Sequence, residues 1–210
     1  MTTKIVLHDY WRSSASYRVR IGLNLLGLTY ESRVVDLVKG EQSSADHLGL
    51  NPQGLVPVLE IDGQRFTQSL AILEYLDETR QAGFLPKQAA DRQRARSLAY
   101  AIAMEIHPVC NLRVAKHAVN LGGAATMENW MQHFIALGLA GFEGLLTERE
   151  DTPFCCGETV TIADICLVPQ IYNARRWNVS LEPFVRTLAI SERLEKILAF
   201  ASASPESVKP

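Results

Sequence analysis

The sequence has few cysteines, and none of the four (Cys110, Cys155, Cys156 and Cys166) stands in a C-x-x-C pair or at the spacing of metal ligands. That argues against a disulfide framework or a zinc ribbon and fits reduced thiols in a cytoplasmic protein without a secretory leader. The vicinal pair Cys155-Cys156 reads as small apolar filler, since adjacent cysteines rarely reach relaxed disulfide geometry. No apolar run is long and unbroken enough to span a bilayer. An excess of either charge is also missing: 21 Lys and Arg stand against 23 Asp and Glu, for a net charge of -2. Such a chain has no broad field to draw nucleic acid or an anionic membrane, so any anion must be bound locally. His47, His117 and His133 are scattered without ligand spacing, and no metal site is expected. Repeats and low-complexity tracts are absent. What remains is 47% hydrophobic and 21% charged over 210 residues, a globular composition long enough for one large domain or two small ones.

The N-terminal part alternates strand-like and helix-like runs. Lys4 to His8 reads as a strand, Ser14 to Leu26 as a helix ending at Gly27, and Tyr30 to Leu37 as a second strand parallel to the first. A polar, partly helical stretch from Lys39 to Asn51 follows. Val58 to Ile61 and Gln64 to Phe66 flank Asp62-Gly63, a hairpin signal, and a helix is expected from Ser69 to Thr79. Gly83 to Pro86 looks like a linker. Beyond it the periodicity is helical throughout: Asp91 to Ala118 with a kink at Pro108, Thr126 to Glu148, Thr161 to Arg175, and Glu192 to Ala203, then a loose polar end. Thr161 and Asp164 have the spacing of a capping pair and read as structural. The expected architecture is an α/β N-terminal domain of order β-α-β-α-β-β-α over residues 1–82 and an all-α C-terminal domain over 88–210.

Within this frame Trp11 to Arg20 stands out. Between a strand and the first turn of a helix it places Ser13, Ser14 and Ser16 with Arg12, Arg18 and Arg20. Orphan N–H groups and the positive end of the helix dipole converge at such a point, which makes it suited to an anion. One serine is explained by capping alone; the density of hydroxyls and cations is not. Arg18, Arg20 and Arg175 read as solvated surface side chains, and Arg12 as a candidate ligand-facing cation. Val56-Pro57 admits two readings: a trans proline that starts an edge strand, or a cis bond that turns the Val56 backbone outward to pair with an extended ligand. Gln68-Ser69, at the start of the next helix, offers a second N-terminus for a carboxylate.

These segments together resemble a known family. Arg12-Ser13-Ser14-Ala15-Ser16-Tyr17-Arg18-Val19-Arg20-Ile21, Asn51-Pro52-Gln53-Gly54-Leu55-Val56-Pro57, Gln68-Ser69-Leu70-Ala71-Ile72-Leu73-Glu74-Tyr75-Leu76 and His107-Pro108-Val109-Cys110-Asn111-Leu112 look like the zeta class of the glutathione transferases, over nearly the whole chain. The resemblance implies a thioredoxin-like first domain, glutathione as cofactor, and a homodimer. It implies Ser13 or Ser14 as catalytic residue, with Ser13 at the family's usual position. Val56 would hold the cysteinyl backbone of glutathione with Pro57 behind it, and Gln68 and Ser69 the γ-glutamyl carboxylate. Gln42, His107 and Asn111 match further positions around that ligand. Arg12, Arg113 and Arg176 are the candidate cations for an acidic substrate. One position departs from the pattern: Ala15 stands where cysteine is common, so no mechanism resting on that cysteine carries over.

The reaction so implied is isomerisation of maleylacetoacetate to fumarylacetoacetate, a step of tyrosine and phenylalanine breakdown, by reversible thiolate addition to the cis double bond. Within enzymes the competing readings are maleylpyruvate isomerisation or transfer to α-halo acids. Outside enzymes it is a non-catalytic glutathione-binding protein, which should lack the serine pair or the glutathione-holding residues that this sequence retains.

Overall fold

The computed structural model describes residues 4–148 and 150–210. The chain divides into two compact units, Leu85–Lys196 on the one hand and Met1–Phe84 with Ile197–Pro210 on the other. The C-terminal segment therefore groups with the first unit, where the helical periodicity had placed it with the second.

In the first unit the elements are β1 (Val6–Asp9), α1 (Ser14–Leu25), β2 (Glu31–Val34), a 3-10 turn at Glu41–Ser43, α2 (Ala45–Leu50), β3 (Val58–Ile61), β4 (Gln64–Thr67) and α3 (Ser69–Arg80). Among the described residues the sheet has the order β2-β1-β3-β4. β2 lies parallel to β1, as a helical crossover requires, and β3 and β4 run antiparallel to their neighbours. Asp62 (φ 55°) and Gly63 (φ 74°) close the hairpin in the left-handed region that Asp-Gly favours. Leu7, Val58 and Leu59 of the sheet and Ile21, Leu23, Ile72, Leu73 and Leu76 of α1 and α3 are completely buried, so one apolar layer holds both helices to the sheet.

Gly22 marks the closest approach of α1 to α3, for a Cβ built there falls 2.4 Å from Leu73 Cδ2. Gly22→Ala should cost roughly 1–3 kcal/mol in chemical denaturation through overpacking, in spite of alanine's better helix propensity. A stabilised variant would show that the contact yields freely.

On the sheet, buried His8 meets Glu60 at 2.6 Å. The hydrogen bond to His8 holds the Glu60 carboxyl below its ordinary value. A depressed carboxyl contributes stability that is present above its unfolded-state value and is lost as pH falls through the folded-state one. Glu60→Gln should thus melt lower than the parent at neutral pH by a few degrees at most, with the gap closing in acid. A gap that persists below the folded-state value of Glu60 would point to packing instead.

The second unit is helical: α4 (Ala89–Tyr100), a π-helical stretch Ala101–Ile106, α5 (His107–Val109), α6 (Leu112–Asn120), α7 (Met127–Thr147), α8 (Ile162–Arg176) and α9 (Val185–Leu194). The kinked continuous helix expected across Pro108 is instead broken. The ladder widens before the proline and stops at Cys110, and Asn111 restarts it as the cap of α6, its Oδ1 accepting from Arg113 N at 3.1 Å. The last expected helix also differs. α9 ends at Leu194, and the segment from Ile197 forms two short helices of its own, α10 (Leu198–Ala201) and α11 (Pro205–Val208). The end of the chain is therefore not loose: Phe200 and Ala203 are completely buried.

Candidate active site

The first turn of α1 is shaped by Ser13. Its backbone N–H donates to the Tyr10 carbonyl at 2.8 Å, and its Oγ accepts from Ser16 N at 3.2 Å, which makes it the cap. A hydroxyl has one proton and two acceptor sites, so accepting the Ser16 N–H leaves the Ser13 proton available to a ligand. No acidic residue occupies the first turn of α1, so no side chain of that turn offsets the positive end of its dipole. The first turns of α4, α7 and α8, by contrast, carry Asp91, Glu128 and Asp164. Ser14 and Ala15 follow as half-buried residues of the same turn.

Arg12 stands beside this cap. Its Nη2 donates to Tyr10 Oη at 3.0 Å, and its guanidinium carbon lies 4.6 Å from the centre of the Trp11 ring. Its Nε is buried and has no partner among the described residues. A guanidinium stacked on an indole and already aimed is well suited to a carboxylate.

Arg18 and Arg20, expected in solvent, are buried. Arg18 Nη1 donates to Ser69 Oγ at 3.4 Å, linking α1 to the start of α3. Arg20 pairs with Asp9 at 2.8 Å. Both were legible only as charges, because their burial depends on partners remote in sequence. Arg175 is exposed, in an ion pair with Glu195.

A second cluster of the same unit lies around the start of α3. Gln68 precedes the helix at φ 67° and ψ 108°, a conformation that costs a non-glycine residue about 1–3 kcal/mol and that the surroundings must impose. Its Nε2 donates to Gln53 Oε1 at 2.9 Å, and Ser69 is buried at the first helical position. The Val56-Pro57 bond is cis. The N–H and carbonyl of Val56 take part in no backbone hydrogen bond among the described residues. Its neighbour Leu55 is firmly held, its carbonyl accepting from Asn51 Nδ2 at 2.9 Å and contacting His47 Nε2 at 3.0 Å. His47 and Asn51 thus support the Val56 segment, a role that their sequence positions did not signal. Gln42, in the 3-10 turn, has a buried Oε1 without a partner among the described residues.

His107, Asn111, Arg113 and Arg176 belong to the second unit. His107 is half-buried, Arg113 and Arg176 are exposed, and the Arg176 guanidinium carbon lies 5.1 Å from the Trp177 ring centre. The cysteines are free thiols. Burial pushes the Cys110 thiol up to about 11 and holds that of Cys155 well above its ordinary range.

The chain matches the family profile of the glutathione S-transferase N-terminal domain over residues 12–79. It is 55% identical over 213 aligned residues to a maleylacetoacetate isomerase of Rhizobium meliloti (strain 1021), covering 100% of both chains. Among solved structures it is similar to a maleyl pyruvate isomerase described as a bacterial glutathione S-transferase in the zeta class, with 36% identity, a TM-score of 0.92, and 97% of this chain and 98% of that one covered. It is likewise similar to a maleylacetoacetate isomerase from Anaeromyxobacter dehalogenans with glutathione bound in the active site, with 38% identity, a TM-score of 0.88, and 99% and 98% covered. With its βαβ-plus-hairpin first unit, its helical second unit and these relatives along its whole length, the chain belongs to the zeta class of the glutathione transferases, the family of the maleylacetoacetate isomerases.

Proposed function

We propose that this protein isomerises maleylacetoacetate to fumarylacetoacetate with glutathione as cofactor, as a cytoplasmic homodimer in aromatic amino acid breakdown. The observation that carries the reading is the α1 corner. A capping hydroxyl with a spare proton stands there beside a guanidinium stacked on Trp11, at a helix N-terminus whose first turn carries no acid. Ala15 stands at the cysteine position of the family pattern, and the buried Cys110 and Cys155 are driven toward the neutral thiol. Neither of these two thiols is suited to attack, and a borrowed thiolate fits the corner better.

The residues fit glutathione. The unpaired Gln42 Oε1 and the Val56 backbone offer acceptors and a donor to a peptide, and the α3 start offers N–H groups to a carboxylate. In this assignment Val56, with Pro57, pairs with the cysteinyl backbone. Gln68 and Ser69 hold the γ-glutamyl carboxylate, and Gln42, His107 and Asn111 complete the ligand's surroundings. Bound glutathione supplies a thiolate that adds to the cis double bond and leaves again once the bond has turned. The Ser13 hydroxyl donates a hydrogen bond to the sulfur and so favours the charged form, aided by the α1 dipole. Ser14 is the alternative donor. Arg12 and Arg176, with Arg113 as a third cation, orient the substrate carboxylates and stabilise the negative charge that develops on its carbonyl oxygen.

The four thiols are free, as a reducing compartment would keep them, and no described helix is long and apolar enough to cross a membrane. A substrate panel tests the reading: with glutathione present, kcat/KM for maleylacetoacetate should exceed that for maleylpyruvate and for an α-halo acid. Turnover without glutathione would remove the cofactor, and preference for maleylpyruvate would change the substrate.

A further inference from the structure

Arg20 is 1% exposed and sits where three parts of the first unit meet. Its Nη1 donates to Asp9 Oδ1 and Oδ2 at 2.9 and 2.8 Å, at the end of β1. Its Nη2 donates to the Trp11 carbonyl at 3.0 Å, and its Nε to the Ala203 carbonyl at 2.9 Å. The Trp11 carbonyl belongs to the peptide unit that carries the Arg12 N–H, so whatever fixes that plane fixes the direction in which Arg12 leaves the chain. One residue on, the Ser13 N–H bonds to the Tyr10 carbonyl. The corner carrying the proposed thiolate donor and the proposed substrate cation is therefore pinned from behind by one guanidinium.

The third anchor comes from the C-terminal segment, which α1 holds along its length. Tyr17 Oη donates to the Phe200 carbonyl at 3.3 Å, and Asn24 Nδ2 to the Ala199 carbonyl and to Ser202 Oγ, both at 3.1 Å. Lys209 Nζ lies 5.4 Å from the centre of the same Trp11 ring that supports Arg12. Other groups near the Arg20 guanidinium are the Tyr17 ring, 5.3 Å from its central carbon, and Tyr30, whose phenol is pushed up by burial with Arg20 pulling the other way.

We infer that Arg20 is a positioning residue for isomerisation: held by Asp9 and the Ala203 carbonyl, it orients the Trp11-Arg12-Ser13 corner, so that residues 197–210 serve the active site from its far side. Serving four acceptor atoms from its three nitrogens requires the fixed guanidinium fork. A lysine ammonium would keep the charge beside Asp9 but could not span Trp11 and Ala203 together. The inference rests on the proposed roles of Ser13 and Arg12.

The test uses the full chain with glutathione and maleylacetoacetate. Three variants, Arg20→Lys, Asp9→Asn and Asn24→Ala, are compared with the parent. Steady-state kinetics, ultraviolet titration of the bound glutathione thiol and melting temperature are read for each. Arg20→Lys should lower kcat/KM for maleylacetoacetate about tenfold or more and move the thiol titration upward in pH, with the KM for glutathione nearly unchanged. Asp9→Asn loosens the same joint and should move both readouts the same way by less. Asn24→Ala slackens the tail without touching the joint and should lower the melting temperature alone. Loss of melting temperature in Arg20→Lys and Asp9→Asn with kinetics and titration unchanged overturns the inference and leaves Arg20 purely structural. If Arg20→Lys does not fold, Asp9→Asn against Asn24→Ala decides it by the same readouts. A parent without glutathione-dependent turnover removes the functional reading and this inference with it, whereas an active parent with indifferent variants removes the inference alone.

Discussion

Ser13→Ala should lower glutathione-dependent turnover by about 10²–10³-fold, the usual loss when one preorganised donor to a developing anion is removed. The same substitution deletes the α1 cap, since Ser13 Oγ accepts the Ser16 N–H, and that alone should cost about 1 kcal/mol of stability. In a chain of this size such a loss moves the melting temperature by only a few degrees. The two effects are therefore separable. A folded protein with a slightly lowered melting point, a collapsed turnover and an upward-shifted bound thiol supports Ser13 as donor. Ser14→Ala and Cys110→Ala serve as comparisons. Ser14 lies within α1, and burial pushes the Cys110 thiol up to about 11, so neither should approach the loss seen at Ser13. Equal activity in Ser13→Ala and Cys110→Ala would take Ser13 out of the mechanism, and collapse in Ser14→Ala alone would transfer its role by one residue.

The largest effect on stability is expected at Asp164, far along the chain. It is completely buried at the start of α8, where its carboxylate accepts from Thr161 N at 2.8 Å, Thr161 Oγ1 at 2.9 Å and Cys155 N at 2.8 Å. Burial pushes this carboxyl above its ordinary value, against the pull of its backbone donors. Asp164→Ala would leave two backbone N–H groups unpaired in the interior, each at about 1–3 kcal/mol, besides removing the cap. A loss of about 3 kcal/mol or more in equilibrium denaturation follows. Asp164→Asn keeps one acceptor oxygen and should fall in between. A loss under about 0.5 kcal/mol for the alanine variant, as at an ordinary surface position, would mean that water reaches these donors after all.

Much of this arrangement was legible in the sequence because the signals were local. Asp62-Gly63 announces the hairpin, Ser13-Ser14 announces the start of α1, with the structure choosing Ser13 as the cap, and Thr161 with Asp164 announces the start of α8. The parallel pairing of β1 with β2 followed from the helix between them. What stayed hidden depended on partners distant along the chain. Arg18 and Arg20 carry charge on a short helix and read as solvent-facing until Ser69, Asp9 and Ala203 come together around them. The segment from Ile197 continues a helical periodicity, yet it groups with the first unit and buries Phe200, Ala203 and Pro205, which local pattern cannot assign. At Pro108 the missing N–H alone predicts a kink. The neighbouring Asn111, a good cap, converts it into a break. At the site, Gln42, Val56 and Gln68 were recognised through family resemblance. His47 and Asn51, which hold the Leu55 carbonyl beside Val56, were not, because support through a backbone carbonyl leaves no signature in side-chain spacing.

The central claim is that a thiolate held at the Ser13 corner is used and returned. Proton NMR of maleylacetoacetate with the full chain and sub-stoichiometric glutathione tests it most directly. Complete conversion of the cis olefin to the trans isomer, with glutathione recovered unchanged and no conversion when it is omitted, is the predicted result. Conversion that stops when glutathione is consumed, or that proceeds equally without it, would contradict the account.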